Sequence, residues 1–234
     1  MNTLPGCLAM AAFALGLVAS SPSRAEGLER TASELTRAKD YERVGHCLMR
    51  SKRKLMLSFV LSDDVSGTNF ESLCLETVEY NRITREGIDT SRLGGAVAAA
   101  FMRSTDMARF DQLIANTPPL DHGEPVTVDG LNAHESFTQS QKVAYVHNVN
   151  WRRSNHVLAE CAIRKDPALS RELSTSKISS REEAALLSRF AKTVSECSES
   201  QVSGARLQAI RQVEALLYLQ LAVKAHPPLR AELD

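Results

Sequence analysis

The sequence predicts an all-α fold made of two tandem related helical units, about four helices each, packed as a bundle or short solenoid. Three observations predict it. Apolar residues recur at the three- and four-residue spacing of one helix face, and N-capping signatures precede several of these stretches. No stretch sustains the apolar-polar alternation of a half-buried strand between hairpin turns, and aromatic residues make up only 5% of the chain. The chain also matches itself at a shift of 114, which aligns Cys47 with Cys161, Arg50 with Arg164, Leu55 with Leu169, Leu73 with Leu187, Arg92 with Arg206 and Leu93 with Leu207. A self-match at one fixed shift, with features repeated in the same order, is the mark of duplication.

Residues 1–25 read as a cleavable signal peptide. An apolar run from Cys7 to Ala19 meets Ser20, Ser21 and Pro22, and Ser23-Arg24-Ala25 presents small side chains at the positions a signal peptidase reads, so cleavage is expected before Glu26. The run is short for a membrane span. Cys7 precedes most of the apolar run, which is the wrong place for a lipoprotein acceptor. From Glu26 onward the chain holds 27 Lys and Arg against 28 Asp and Glu, so it has no excess positive charge with which to displace counterions from nucleic acid or an anionic membrane. No nucleic-acid partner is expected. No later segment reads as transmembrane, and the expected location is periplasmic or secreted.

The first unit spans residues 26–115. Val44, Cys47, Leu48 and Leu55 fall on one helical stripe, with the basic run Arg50-Ser-Lys52-Arg53-Lys54 read as a solvated helix end. Thr68-Asn-Phe-Glu71 is a capping box that leads toward Cys74. A last helix from Arg92 to about Arg103 carries Leu93, Val97, Ala100 and Phe101, and Gly94-Gly95 within it admits a neighbouring helix. A short helix from Met107 to Ala115 turns Phe110, Leu113 and Ile114 to one face and ends before Pro118-Pro119. Residues 116–138 read as a polar linker or exposed loop, with only Val126-Thr-Val128 hinting at a strand.

The second unit spans residues 139–234. A long helix from about Gln139 to Arg164 places Leu158, Cys161 and Ala162 where Val44, Cys47 and Leu48 stand in the first unit. Asp166 and Pro167 then end it and start another, since Asp caps and Pro suits a first turn. The first unit has Ser51-Lys52-Arg53 at that point. Ser180-Arg-Glu-Glu183 is the second capping box, and Arg206 to about Ala225 the last helix.

Export changes the meaning of the cysteines, because oxidising compartments preserve disulfides. Cys47, Cys74, Cys161 and Cys197 allow three pairings. Duplication of local structure selects Cys47 with Cys74 and Cys161 with Cys197. A redox or metal role has little to support it. There is no Cys-x-x-Cys, and His46 beside Cys47 points away from it on a helix.

No cofactor, metal or catalytic residue is indicated. His46, His122, His134, His147, His156 and His226 show no zinc-ligand spacing, and His122-Gly-Glu124 reads as a solvated loop. There is no Gly-x-Ser-x-Gly elbow and no phosphate-cradling glycine loop. Trp151-Arg152-Arg153 is the candidate binding cluster, because Trp and Arg bring large contact areas and forked donors, although a Trp on an amphipathic helix commonly lies in the core.

The run Cys161-Ala-Ile-Arg164-Lys-Asp166-Pro167, followed by a capped helix, Cys197 and Arg206-Leu207, resembles a group of uncharacterised exported bacterial proteins with duplicated cysteine-containing helical units. The resemblance covers roughly residues 41 to 105 and 155 to 220, and the first unit departs from it by lacking the Asp-Pro step. It implies an exported helical fold and carries over no catalytic residue. The expected function is non-enzymatic, with a groove or face between the units binding another protein or an envelope component. The alternatives are an envelope-acting hydrolase that uses Glu71, Glu76, Glu79 or Glu183, and a small-ligand carrier with an apolar pocket between helices.

Overall fold

The computed structural model of the chain describes residues 31–62, 74, 77–85, 87–131, 137–199 and 201–233. The expected signal peptide, the Thr68–Glu71 capping box, Glu76 and His134 lie outside the described residues. Within them the chain is all-α, with no strand and no helix long and apolar enough to cross a membrane.

Helix α1 (Ala32–Ser51) opens on a capping box, Thr31 with Glu34, and α6 (Gln139–Lys165) opens on another, Thr138 with Gln141. Each reciprocal pair satisfies amide donors that a helix start leaves unpaired. Helix α6 stops at Asp166 (φ −142°, ψ 77°), whose carboxylate caps α7 (Pro167–Thr175) with Pro167 in the first turn. Helix α1 stops in the same backbone conformation at Lys52 (φ −148°, ψ 59°), 114 residues earlier, and α2 (Arg53–Ser62) follows. This break corrects the stripe drawn through Leu55, which is 43% exposed. No Asp-Pro marks the break. Met56, Leu57 and Val60 are buried instead, as α2 turns to pack on α4 (Thr90–Arg103).

Helix α3 (Val78–Arg85) packs on α1, and α8 (Arg181–Ser195) packs on α6. Asp89 caps α4 and Ser203 caps α9 (Gly204–Ala225), again 114 residues apart. Helices α4 and α9 form the centre, with α1 against α4 on one flank and α6 against α9 on the other. The centre is close-packed because a Cβ on Gly95 would lie 2.1 Å from the Gln212 carbonyl oxygen, leaving room there for glycine alone. Helix α9 is buried on every side from Val213 to Leu219. Buried residues from Tyr41 to Leu229 form one hydrophobic core that both halves share.

Two disulfides brace the flanks: Cys47–Cys74 ties α1 to the segment before α3, and Cys161–Cys197 ties α6 to the end of α8. A short 3-10 turn (Ala108–Phe110) leads into α5 (Asp111–Ala115), which buries Phe110 and Ile114 but leaves Leu113, expected on the same face, 44% exposed. Helix α10 (Pro228–Leu233) closes the described chain.

The segment after α5 is mostly exposed, as expected of a loop, and between Pro119 and Val126 it is also tied to α6 and α9. Leu120 donates its amide to Glu160, Arg153 donates to the Gly123 carbonyl at 2.7 Å, and Lys224 donates to the Pro119 carbonyl at 2.6 Å. Val126, expected in a strand, has its amide and carbonyl both taken by the Asn150 side chain, at 2.9 and 2.8 Å. Side-chain bonds thus satisfy a backbone that would otherwise need a partner strand.

Candidate binding groove

The N-terminal half of α6 extends beyond the core: Asn155 is its first buried residue, and Val143, Tyr145 and Trp151 before it are exposed. One stripe of this helix carries Val143, Ala144, His147, Asn148 and Trp151, and then runs into a groove between α6, α4 and α9. Trp151, Arg152, Asn155 and Arg92 stand at that end, and His156 is the wall residue common to its whole length. Phe59, Val60 and Leu216 line the middle. At the far end Asp121, His122, Lys224 and Arg230 surround Leu61, Leu217 and Val223. The groove therefore combines apolar side chains in a largely polar lining with charges of both signs at its ends, Arg92 and Arg152 with Asp89 at one and Lys224 and Arg230 with Asp121 at the other.

The candidate cluster divides. Trp151 is 43% exposed, so the core reading of it falls, and with Arg152 it borders the groove. Arg153 is spent on the Gly123 carbonyl and holds the loop. Asn155 is buried because Arg206, the first-turn arginine of α9, donates to its Oδ1 at 3.0 Å and to the Ser154 hydroxyl, fixing α6 against α9 beside the groove.

His122 corrects the solvated-loop reading. Its Nε2 lies 2.5 Å from Oε2 of Glu160, and the two side chains are only 13% and 5% exposed. Glu160 also accepts from the Leu120 amide at 3.0 Å, and the ring of His156 stands edge-on to His122 at 6.2 Å between centroids. Folding thus brings together three groups separated in sequence by a loop and a helix. The sequence signal for this was an acid on the apolar side of α6, beside Ala159 and Cys161. Among the described residues no three His, Cys, Asp or Glu side chains gather as a metal-ligand set.

The remaining titratable candidates have structural partners. His46 accepts from Arg103 at 2.8 Å, and burial followed by the Arg103 charge holds its pKa below the ordinary histidine value. Glu79 accepts from Arg43 at 2.6 Å, and its own amide and Arg43 keep its carboxyl below the usual range. Glu183 caps α8, reaching the amide of Ser179 at 2.7 Å, one residue further back than a standard capping box. That reach holds Ser179 in a left-handed conformation (φ 65°).

Fold and groove together define a disulfide-braced all-α chain with an open lateral groove. No protein-family model, curated protein or solved structure matches it.

Proposed function

We propose that the protein is a non-catalytic, exported helical scaffold, built by duplication of one unit, that binds an extended segment of another protein in the groove beside α6. Trp151 carries the reading: a large aromatic side chain stands exposed on a helix, next to Arg152, at the mouth of a groove. Such a residue is the usual energetic centre of a protein interface. The exposed side chains of Val143 and Trp151 on the first half of α6 support it further, because they leave apolar surface uncovered among the described residues. Lys224, Arg230 and Arg152 suit a segment that carries acidic side chains among apolar ones. Export agrees with the two disulfides, and duplication with the matched helix breaks at Lys52 and Asp166 and the matched caps at Asp89 and Ser203.

The test is a photo-crosslinking residue placed at Trp151 in the exporting cell, with Arg189 on exposed α8 as control. A discrete adduct from position 151 and none from 189 is expected. Equal labelling at both positions, or none at 151, contradicts the reading.

The His122–Glu160 pair favours a second reading, an envelope-acting hydrolase in which the held imidazole serves as general base toward water. Among the described residues lining that end there is no serine, threonine or cysteine, so water itself would be the nucleophile. Turnover of an ester or glycoside substrate that His122→Gln abolishes, in a folded variant, would establish this reading in place of the first.

A further inference from the structure

A separate cleft lies across the α4–α9 crossing from the groove, between α1, α4, α7 and α9. Its floor is made of Gly95, Ala96 and Ala99, whose small side chains leave the space open. Three arginines, Arg92, Arg103 and Arg211, line it against one carboxylate, Glu42.

Two of the three arginines are engaged by the fold. Arg103 pairs with Glu42 at 2.7 Å and donates to the carbonyls of Thr175 and Ser176, and Arg211 donates to the Leu173 carbonyl at 2.8 Å. These carbonyls lie at the C-terminal end of α7, where cations are favoured. Arg211 also has two carboxylate neighbours, Glu214 at 3.5 Å and Glu183 at 3.9 Å, so both arginines are spent on the fold.

What remains is a set of unspent donors on the cleft wall. Arg92 has its Nε 3.2 Å from Asp89, and its terminal nitrogens meet no acceptor among the described residues. Tyr41 is 3% exposed, and its hydroxyl oxygen accepts from the Asp89 amide at 2.8 Å, while its own proton has no acceptor among them. The Gln212 side-chain amide is likewise unbonded. A buried hydroxyl without an acceptor costs free energy that a bound acceptor would recover.

We propose that this cleft binds a small molecule bearing an oxyanion, either a carboxylate or a phosphoryl group, held by Arg92, Tyr41 and Gln212. Guanidinium, hydroxyl and amide donors lining one cleft match such a head group, and the floor of Gly95, Ala96 and Ala99 accommodates a short body. The site is independent of the groove reading. Arg92 and Gln212 border both spaces, whereas Ala38 lines the cleft alone and Trp151 the groove alone.

The test is calorimetric titration of the mature protein with inorganic phosphate and with butyrate, each against chloride at matched ionic strength. Saturable one-to-one binding is expected, by phosphate alone if the head group is phosphoryl and by butyrate alone if it is a carboxylate. Arg92→Gln should weaken that binding about tenfold or more, as loss of a charged donor does. Ala38→Phe should abolish it, and Trp151→Ala should leave it unchanged. The proposal is overturned if neither anion saturates by about 10 mM, an affinity already weaker than any useful recognition. It is also overturned if Arg92→Gln binds like the parent. Arg92 is a quarter exposed and pairs only within its own turn, so that variant keeps the test decisive even if Ala38→Phe does not fold.

Discussion

Glu214 is the most informative single residue outside the groove. It is fully buried on α9, faces the hydroxyls of Ser170 and Ser174, and has Arg211 at 3.5 Å. Burial, only partly offset by Arg211, pushes its carboxyl up to about 8. The unfolded chain releases this proton near 4.5, whereas the folded chain keeps it to about 8, so the native state binds the extra proton between those values. Its contribution to stability is complete below pH 4.5 and is lost as pH rises to about 8. Urea melts of the parent should therefore show a stability falling by several kcal/mol over that window, and Glu214→Gln should flatten the fall. A parent with the same slope as the variant would contradict the assignment. Tyr218 makes a second test: it donates to Asp111 at 2.5 Å, Asp111 is paired with Arg171 at 3.1 Å, and burial and Asp111 hold the phenol protonated. Tyr218→Phe should cost about 1.5 to 3 kcal/mol in chemical denaturation, the usual worth of a bond to a charged group. Neither residue stood out in the sequence, because an acid in an apolar helix looks like an outward-facing residue until that stretch of α9 is known to be buried on every side. His122 was hidden likewise, since a histidine between Asp and Gly reads as a loop until Glu160 is placed beneath it.

At the scale of elements, periodicity and caps carried far. Helices α4, α6 and α9 run Thr90–Arg103, Gln139–Lys165 and Gly204–Ala225, within a few residues of the spans that stripes and breakers predict. The first break escaped because Lys52 carries no breaker, and the conformation there is set by the packing of α2 on α4. The glycine pair in α4 gives a sharp contrast. A Cβ on Gly94 would meet Leu216 side-chain carbons at 3.5 Å, ordinary contact, whereas one on Gly95 would strike the Gln212 carbonyl oxygen at 2.1 Å. Gly94→Ala should stabilise by up to about 1 kcal/mol through helix propensity. Gly95→Ala should destabilise by about 1 to 3 kcal/mol as the helices are forced apart. Thermal melts of the two variants should move in opposite directions, and a shared direction would mean that the α4–α9 crossing is not this close.

For the whole molecule, one core drawn from both halves means that neither half is complete alone, and the disulfides brace the flanks rather than the centre. Each bridge should contribute about 3.5 to 4 kcal/mol on the loop-entropy model, so reductant should lower the melting temperature without abolishing the fold. The groove was illegible in sequence because its walls come from α2, α4, α6, α9 and the pinned loop, and only Trp151 and Arg152 signalled it locally. We propose that the chain is exported, oxidised and holds a partner in that groove. Native mass spectrometry of parent and Trp151→Ala, purified from the exported fraction without reductant, tests it most directly. The predicted result is a chain starting near Glu26, lighter by the hydrogens lost in two disulfides, with a polypeptide partner that is retained by the parent and lost from the variant. A chain that is unprocessed or reduced, or one that holds nothing or holds the same partner in both forms, would contradict it.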